Sequence, residues 1–156
     1  MESKRKTKII LWAALPLIIL YAFTARFEFK FNVSESLDGN LFLIDKWNKE
    51  IKKGKKISFA AEGNGYYQGE FLKIIKGVEG DKVVHDDSAV YINNEYVGII
   101  KERGRNGDLL QAGPTGIIPK GECFVAGKHK DSFDSRYKNI GYVKKNNIIG
   151  TAYLIF

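Results

Sequence analysis

Three short stretches of this chain carry residue types suited to nucleophilic and proton-transfer chemistry. "GEFLKIIKG" (69–77) sets Lys73 in the middle of an apolar run. On an extended backbone Phe71, Lys73 and Ile75 share one side, and Leu72, Ile74 and Lys76 share the other. A lysine placed this way is either an edge-strand residue that snorkels to water and deters pairing, or an amine held out of water by its apolar neighbours. The second option has chemical value. Free lysine titrates near 10.4, so roughly one amine in two thousand is neutral at pH 7, and desolvation raises that fraction. "NVSESLDGNLF" (32–42) places Ser34 and Ser36 two apart, with both hydroxyls on one face of an extended chain. "KDSFDSRYKNIG" (130–141) repeats that spacing with Ser132, Asp134 and Arg136. Taken singly, serines near a turn satisfy backbone groups, and an Asp–Arg pair is a structural salt bridge.

Other reactive side chains are few. His85 lies in "VVHDDSA", a polar turn, and His129 in a charged loop, and these are the only two histidines. Both read as solvated, which disfavours a histidine-based hydrolase. "HDD" alone is thin support for a metal site, and no metal or cofactor is expected. Cys123 is the only cysteine, so it excludes an internal disulfide and reads as a small buried hydrophobe. "NKEIKKGKK" (48–56) concentrates five lysines without interleaved aromatics. It reads as a solvated turn, and no nucleic-acid partner is expected.

The elements that must position these residues are β-strands. "RFEFKFNV" alternates cleanly, and a second apolar run follows turn chemistry at Asp38, Gly39 and Asn40. "KISFAA" and "GEFLKIIKG" read as two further strands joined by the glycine-bearing "EGNGYYQ". "AVYINNEYVGII" reads as a tight hairpin, because Asn93 and Asn94 tolerate positive φ. "GIIPKGECFVAGKH" and "IGYVKKNNIIGTAYLIF" close the chain as strands, and the one place for a helical turn after residue 26 is Asp45 to Lys52. The body is mostly β, as several small coiled sheets or a barrel.

The N-terminus has a different character. Residues 1–8 carry Lys4, Arg5, Lys6 and Lys8 against Glu2, and they are followed by seventeen uncharged residues, 9–25. That length is near the lower limit for a membrane span, with Trp12 and Tyr21 toward its ends as interfacial anchors. Four cations before the span against Arg26 after it predict a cytoplasmic basic tail (1–8), a transmembrane anchor (9–25) and an extracytoplasmic domain (26–156). A cleaved signal peptide is the rival reading, disfavoured because the run exceeds the usual apolar length. Of the formal charge of +7, the first eight residues supply +3, which leaves a mildly basic body.

Taken together and in this order, the motifs resemble the serine–lysine signal peptidase family, and within it the conjugative-transfer (TraF-type) branch. Asn32, Ser34, Ser36, Leu41 and Phe42 are in register with the family's nucleophile segment. Lys73, Gly77, Gly80 and Asp81 match its general-base segment, and "GIIPKGECFVAG" matches a later strand. "SFDSRYKNIGYVKKNNIIGTA" is the most specific match. The chain departs from the pattern at Asp38, Asn40 and Glu79, where the family has Pro, Gly and Pro, and at Lys128 and His129, where Asp and Asn are usual.

The resemblance implies a signal-peptidase-like body of coiled antiparallel sheet behind one transmembrane helix. By the same implication Ser36 is the nucleophile and Lys73 the general base. Ser34 joins the Ser36 backbone N–H in the oxyanion hole, Ser132 orients the lysine amine, and Asp134 and Arg136 form a supporting ion pair. The expected activity is a serine endopeptidase on the outer face of the cytoplasmic membrane, in contact with lipid, cutting leader or terminal segments from translocated precursors, a conjugative pilin precursor first among them. The alternative from another class is an inactive membrane-anchored β-domain serving as an assembly component of a secretion or conjugation apparatus.

Overall fold

The computed structural model describes residues 2–34, 36–62 and 68–156. Helix α1 (Glu2–Arg26) leads directly into a body whose described residues form eleven strands: β1 (Phe27–Phe31), β2 (Leu41–Asp45), β3 (Lys56–Glu62), β4 (Gln68–Gly77), β5 (Lys82–Asp86), β6 (Ala89–Ile92), β7 (Glu95–Ile99), β8 (Gly116–Ile117), β9 (Glu122–Ala126), β10 (Val143–Lys144) and β11 (Ile148–Leu154). The larger sheet runs β1-β2-β11-β3-β4-β9-β10 and the smaller β7-β6-β5-β8, with every pairing antiparallel. The mostly β body is thus two sheets.

Antiparallel alternation explains how this sequence builds a core on both faces of the large sheet. On one face Ile57, Phe59, Ile75, Cys123, Val125 and Ile148 pack together, with Phe71 against them. On the other, Phe42, Ile44, Leu72, Ile74 and Ala152 pack with Leu37. A third cluster, including Val83, Val90, Ile92, Ile118 and Phe124, joins the sheets. They meet at Gly77, where a Cβ would lie 2.6 Å from Ile118 Cδ1 and 3.0 Å from Ile92 Cδ1. A side chain there would push the sheets apart.

The Asn93–Asn94 hairpin forms as expected between β6 and β7, with φ of 48° and 68°. Two expectations fail. Residues 46–52 form turns and irregular chain instead of a helical turn. His85 lies within β5, half-buried, because "VVHD" pairs with β6 through Val83↔Ile92 to Asp86↔Ala89 and the polar turn begins only at Asp87. The link expected between β3 and β4 falls at 63–67, outside the described residues. From Leu15 to Tyr21, the described apolar side chains of α1 are largely exposed. Among the described residues no helix is long and apolar enough to cross a membrane, so the span expected at 9–25 rests on the sequence.

Candidate active site

Lys73 sits near the middle of β4, and β4 is an interior strand between β3 and β9. That position removes the edge-strand reading: water cannot reach the amine along the strand edge. Lys73 is only 3% exposed and shares its face with Phe71 and Ile75, as alternation requires. Its Nζ lies 2.6 Å from Ser36 Oγ and 5.8 Å from the centroid of the Phe71 ring.

Ser36 is itself buried, in the loop between β1 and β2. Asn32 folds that loop: its Nδ2 donates to the carbonyls of Leu37 and Gly39, each at 3.0 Å. Leu37 then anchors the loop in the core, and the Lys128 N–H donates to the Ser36 carbonyl at 2.7 Å. Ser34 lies differently. It is exposed, and its hydroxyl donates to Asn32 Oδ1 at 3.0 Å.

The third stretch closes the site from the side. Ser132 is 3% exposed, and its Oγ lies 3.2 Å from Ser36 Oγ, so this hydroxyl meets the serine of the pair. Asp134 and Arg136 are buried together in a forked ion pair, Nε to Oδ1 at 2.8 Å and Nη2 to Oδ2 at 2.9 Å. The remaining capacity of both groups is used on backbone. Asp134 Oδ2 accepts from the Gly127 N–H at 2.9 Å, while Arg136 donates to the carbonyls of Ser132 (2.9 Å) and Ile99 (2.8 Å). The pair therefore ties the segment bearing Ser132 to the end of β9 on one side and to β7 on the other.

Gly127 closes the motif "GIIPKGECFVAG", but the sequence reading gave it no role. A Cβ there would lie 2.1 Å from Ser132 Oγ and 3.1 Å from Ser36 Cβ, so only glycine lets these hydroxyls approach. Its signal in the sequence was the glycine directly after the apolar run "CFVA".

The surroundings of Lys73 raise the neutral fraction of its amine. Burial pushes the Lys73 pKa down to about 8, with the negative charge of Asp134 pulling it up and the positive charge of Arg136 pushing it further down. At pH 7 roughly one amine in ten is then unprotonated, against one in two thousand in water. A neutral amine 2.6 Å from a hydroxyl can accept its proton as the oxygen attacks a carbonyl carbon. Cys123 is buried and its thiol pKa is pushed up to about 12, mainly by desolvation, which removes it as a competing nucleophile. His85 is pushed down by burial, and its Nε2 has no hydrogen-bond partner among the described residues. Also among the described residues, no group of three or more His, Cys, Asp or Glu could hold a metal ion.

A β scaffold here presents a buried hydroxyl to a desolvated amine, the arrangement that serine–lysine hydrolysis requires. Residues 4–156 match the family described as signal peptidase, peptidase S26. The chain belongs to that family and is a serine endopeptidase. Among curated proteins, signal peptidase I U of Bacillus subtilis is 27% identical, over all of this chain and 91% of its own length. Signal peptidase I T of the same organism is 26% identical over 76% of this chain and 65% of its own. Signal peptidase I of Bacillus caldolyticus is 27% identical over 72% and 66%. Among solved structures, a signal peptidase I from Enterococcus faecalis is similar with a TM-score of 0.45 and 22% identity, over 67% of this chain and 97% of that one.

Proposed function

We propose that this chain is a membrane-anchored signal peptidase that cuts leader segments from translocated precursors with Ser36 as nucleophile and Lys73 as general base. The observation that carries the reading is the 2.6 Å contact between the Lys73 amine and the Ser36 hydroxyl, both buried. Lys73 takes the hydroxyl proton as Ser36 Oγ attacks the scissile carbonyl, then delivers it to the leaving amine. The same amine next activates the water that releases the acyl group from Ser36. The Ser36 backbone N–H and the Ser34 hydroxyl, turned away from Asn32, stabilise the oxyanion. Ser132 positions the reacting hydroxyl, and Asp134 with Arg136 holds the wall that carries it.

Anchoring through residues 9–25, with the catalytic body on the outer face of the cytoplasmic membrane and in contact with its lipid, is supported by the charge-free run and by the exposed apolar side chains of α1. Within this reading the substrate is a signal-bearing precursor. A conjugative pilin precursor is the particular candidate offered by the motifs at 32–42 and 130–141. The test is cleavage of a signal-bearing precursor in detergent by wild type, Ser36→Ala and Lys73→Ala. Wild type alone should cut. Equal cleavage by all three would end the assignment, and no cleavage by any would favour an assembly component. Mass spectrometry of secreted proteins with and without the chain then identifies the substrate and the cut.

A further inference from the structure

Beside the wall that carries Ser132 lies a cavity of about 140 Å³ that the reading above leaves unused. The loop joining β7 to β8 forms its rim, with Lys101, Arg103 and Arg105, while Asp131, Phe133 and Tyr137 line the other side. Three cations line it against one carboxylate, Asp131, with a second, Asp108, just behind Asn106, which donates to it. Asp131 accepts from the Lys101 amine and, at 3.4 Å, from Arg105. The lining keeps a net positive charge while two rings stacked 5.6 Å apart, Phe133 and Tyr137, close off its apolar end.

The cavity and the reacting pair share one wall. Asp131 and Phe133 flank Ser132 in the chain, and the ring of Phe133 lies 6.3 Å from Phe71, over which the Lys73 amine sits. From the opposite end, Arg105 Nη2 lies 3.4 Å from His129 Nδ1, next to Lys128, whose N–H holds the Ser36 carbonyl. The lining of the cavity and the reacting pair are thus joined through the segment 128–133.

We propose that the cavity is a subsite for an acidic side chain on the mature side of the scissile bond. The inference rests on the protease reading above. The side of the bond follows from the chemistry of leader peptides, which combine a basic start, an apolar run and small residues before the cut. None of these presents a carboxylate, so an anion reaching Arg103 belongs to the released protein. Arg103 is exposed at the rim, where its Nη1 donates to the Gly107 carbonyl at 2.9 Å, and a guanidinium has further N–H donors to offer a carboxylate.

The experiment uses the full chain in detergent with leader-like peptides ending in Ala-x-Ala, followed by Asp, Asn or Lys at each of the first four positions after the cut. Asp at one of these positions should raise kcat/KM roughly three- to tenfold over Asn, Lys should lower it, and the difference should shrink with added salt. Arg103→Glu should reverse the order and Arg103→Gln should flatten it, so a reversal variant that fails to fold leaves a second reading of the same contact. If wild type cuts all peptides within roughly twofold, or if Arg103→Gln keeps the acidic preference, the subsite is refuted while the protease stands. If Ser36→Ala cuts as wild type does, or no peptide is cut, the protease reading falls and the subsite with it.

Discussion

At the scale of single residues, Lys73 is a cost to folding that the proposed chemistry explains. Its pKa falls from 10.5 to about 8 on burial, a penalty of about 3 kcal/mol below pH 8. The sign follows from linkage. Between about 8 and 10.5 the unfolded chain binds more protons at this site than the folded one, so stability rises with pH across that window and the penalty is fully present below it. Lys73→Met should therefore abolish cleavage and yet stabilise the protein at pH 7, by about 2 kcal/mol after the lost hydrogen bond to Ser36 is subtracted. Denaturant unfolding checks this, and a destabilised, inactive Met variant would contradict it. For the wild type, log kcat/KM should climb with unit slope up to a pH of about 8 and then level off, measured on a peptide without titrating groups in that range.

At the scale of elements, the wall from Gly127 to Arg136 does the positioning. Removing one partner of the buried pair, as in Asp134→Asn or Arg136→Met, should cost about 3–5 kcal/mol, because a charge is left buried without its counterpart. Thermal unfolding reads that loss. Gly127→Ala makes the contrasting case. Its Cβ meets Ser132 Oγ at 2.1 Å, so the two walls must separate and kcat should drop roughly tenfold or more. Its stability should change less than that of the ion-pair variants, which circular dichroism on heating distinguishes. The strands and the turn at Asn93–Asn94 were legible in the sequence because alternation and positive-φ residues are local signals. Lys73 was legible as a place on one face of a strand. Its interior position was not, because strand order depends on pairing between segments far apart in the chain, β3 and β9 on either side of β4. His85 was misread for a related reason: its polar neighbours Asp86 and Asp87 hid a strand that pairs with β6. The closeness of Ser36 to Ser132 joins residues 96 apart, and the motif resemblance brought Ser132 to the site but against the Lys73 amine rather than the Ser36 hydroxyl.

At the scale of the whole molecule, the join between helix and body matters most. Helix α1 ends at Arg26 and β1 begins at Phe27, with no linker between them. Arg26 donates to both oxygens of Asp45 at 3.0 and 2.8 Å, and its guanidinium lies 4.8 Å from the Phe27 ring centroid and 5.3 Å from that of Trp47. The Lys46 amine adds a bond to the Thr24 carbonyl at 2.8 Å. These contacts hold the helix to the β2 end of the large sheet, so under the anchored reading they set the height of Ser36 above the membrane. Asp45→Ala should slow cleavage of a precursor embedded in vesicles while leaving a short soluble peptide cut at the wild-type rate. Equal slowing of both would show a general loss of structure. The hydrogen bonds from Arg26 hold the Asp45 carboxyl below its ordinary range, so this contact is lost only as pH falls through that lowered value, far from the window in which Lys73 titrates.

The most direct measurement is the titration of Lys73 itself, followed by NMR of lysine labelled at Cε in the full chain in detergent micelles, with Lys73→Met to assign the signal. A midpoint near 8 that coincides with the rise of kcat/KM is the expected result. A midpoint at the ordinary 10.5 in a protein that cleaves fully at pH 7 would contradict the account.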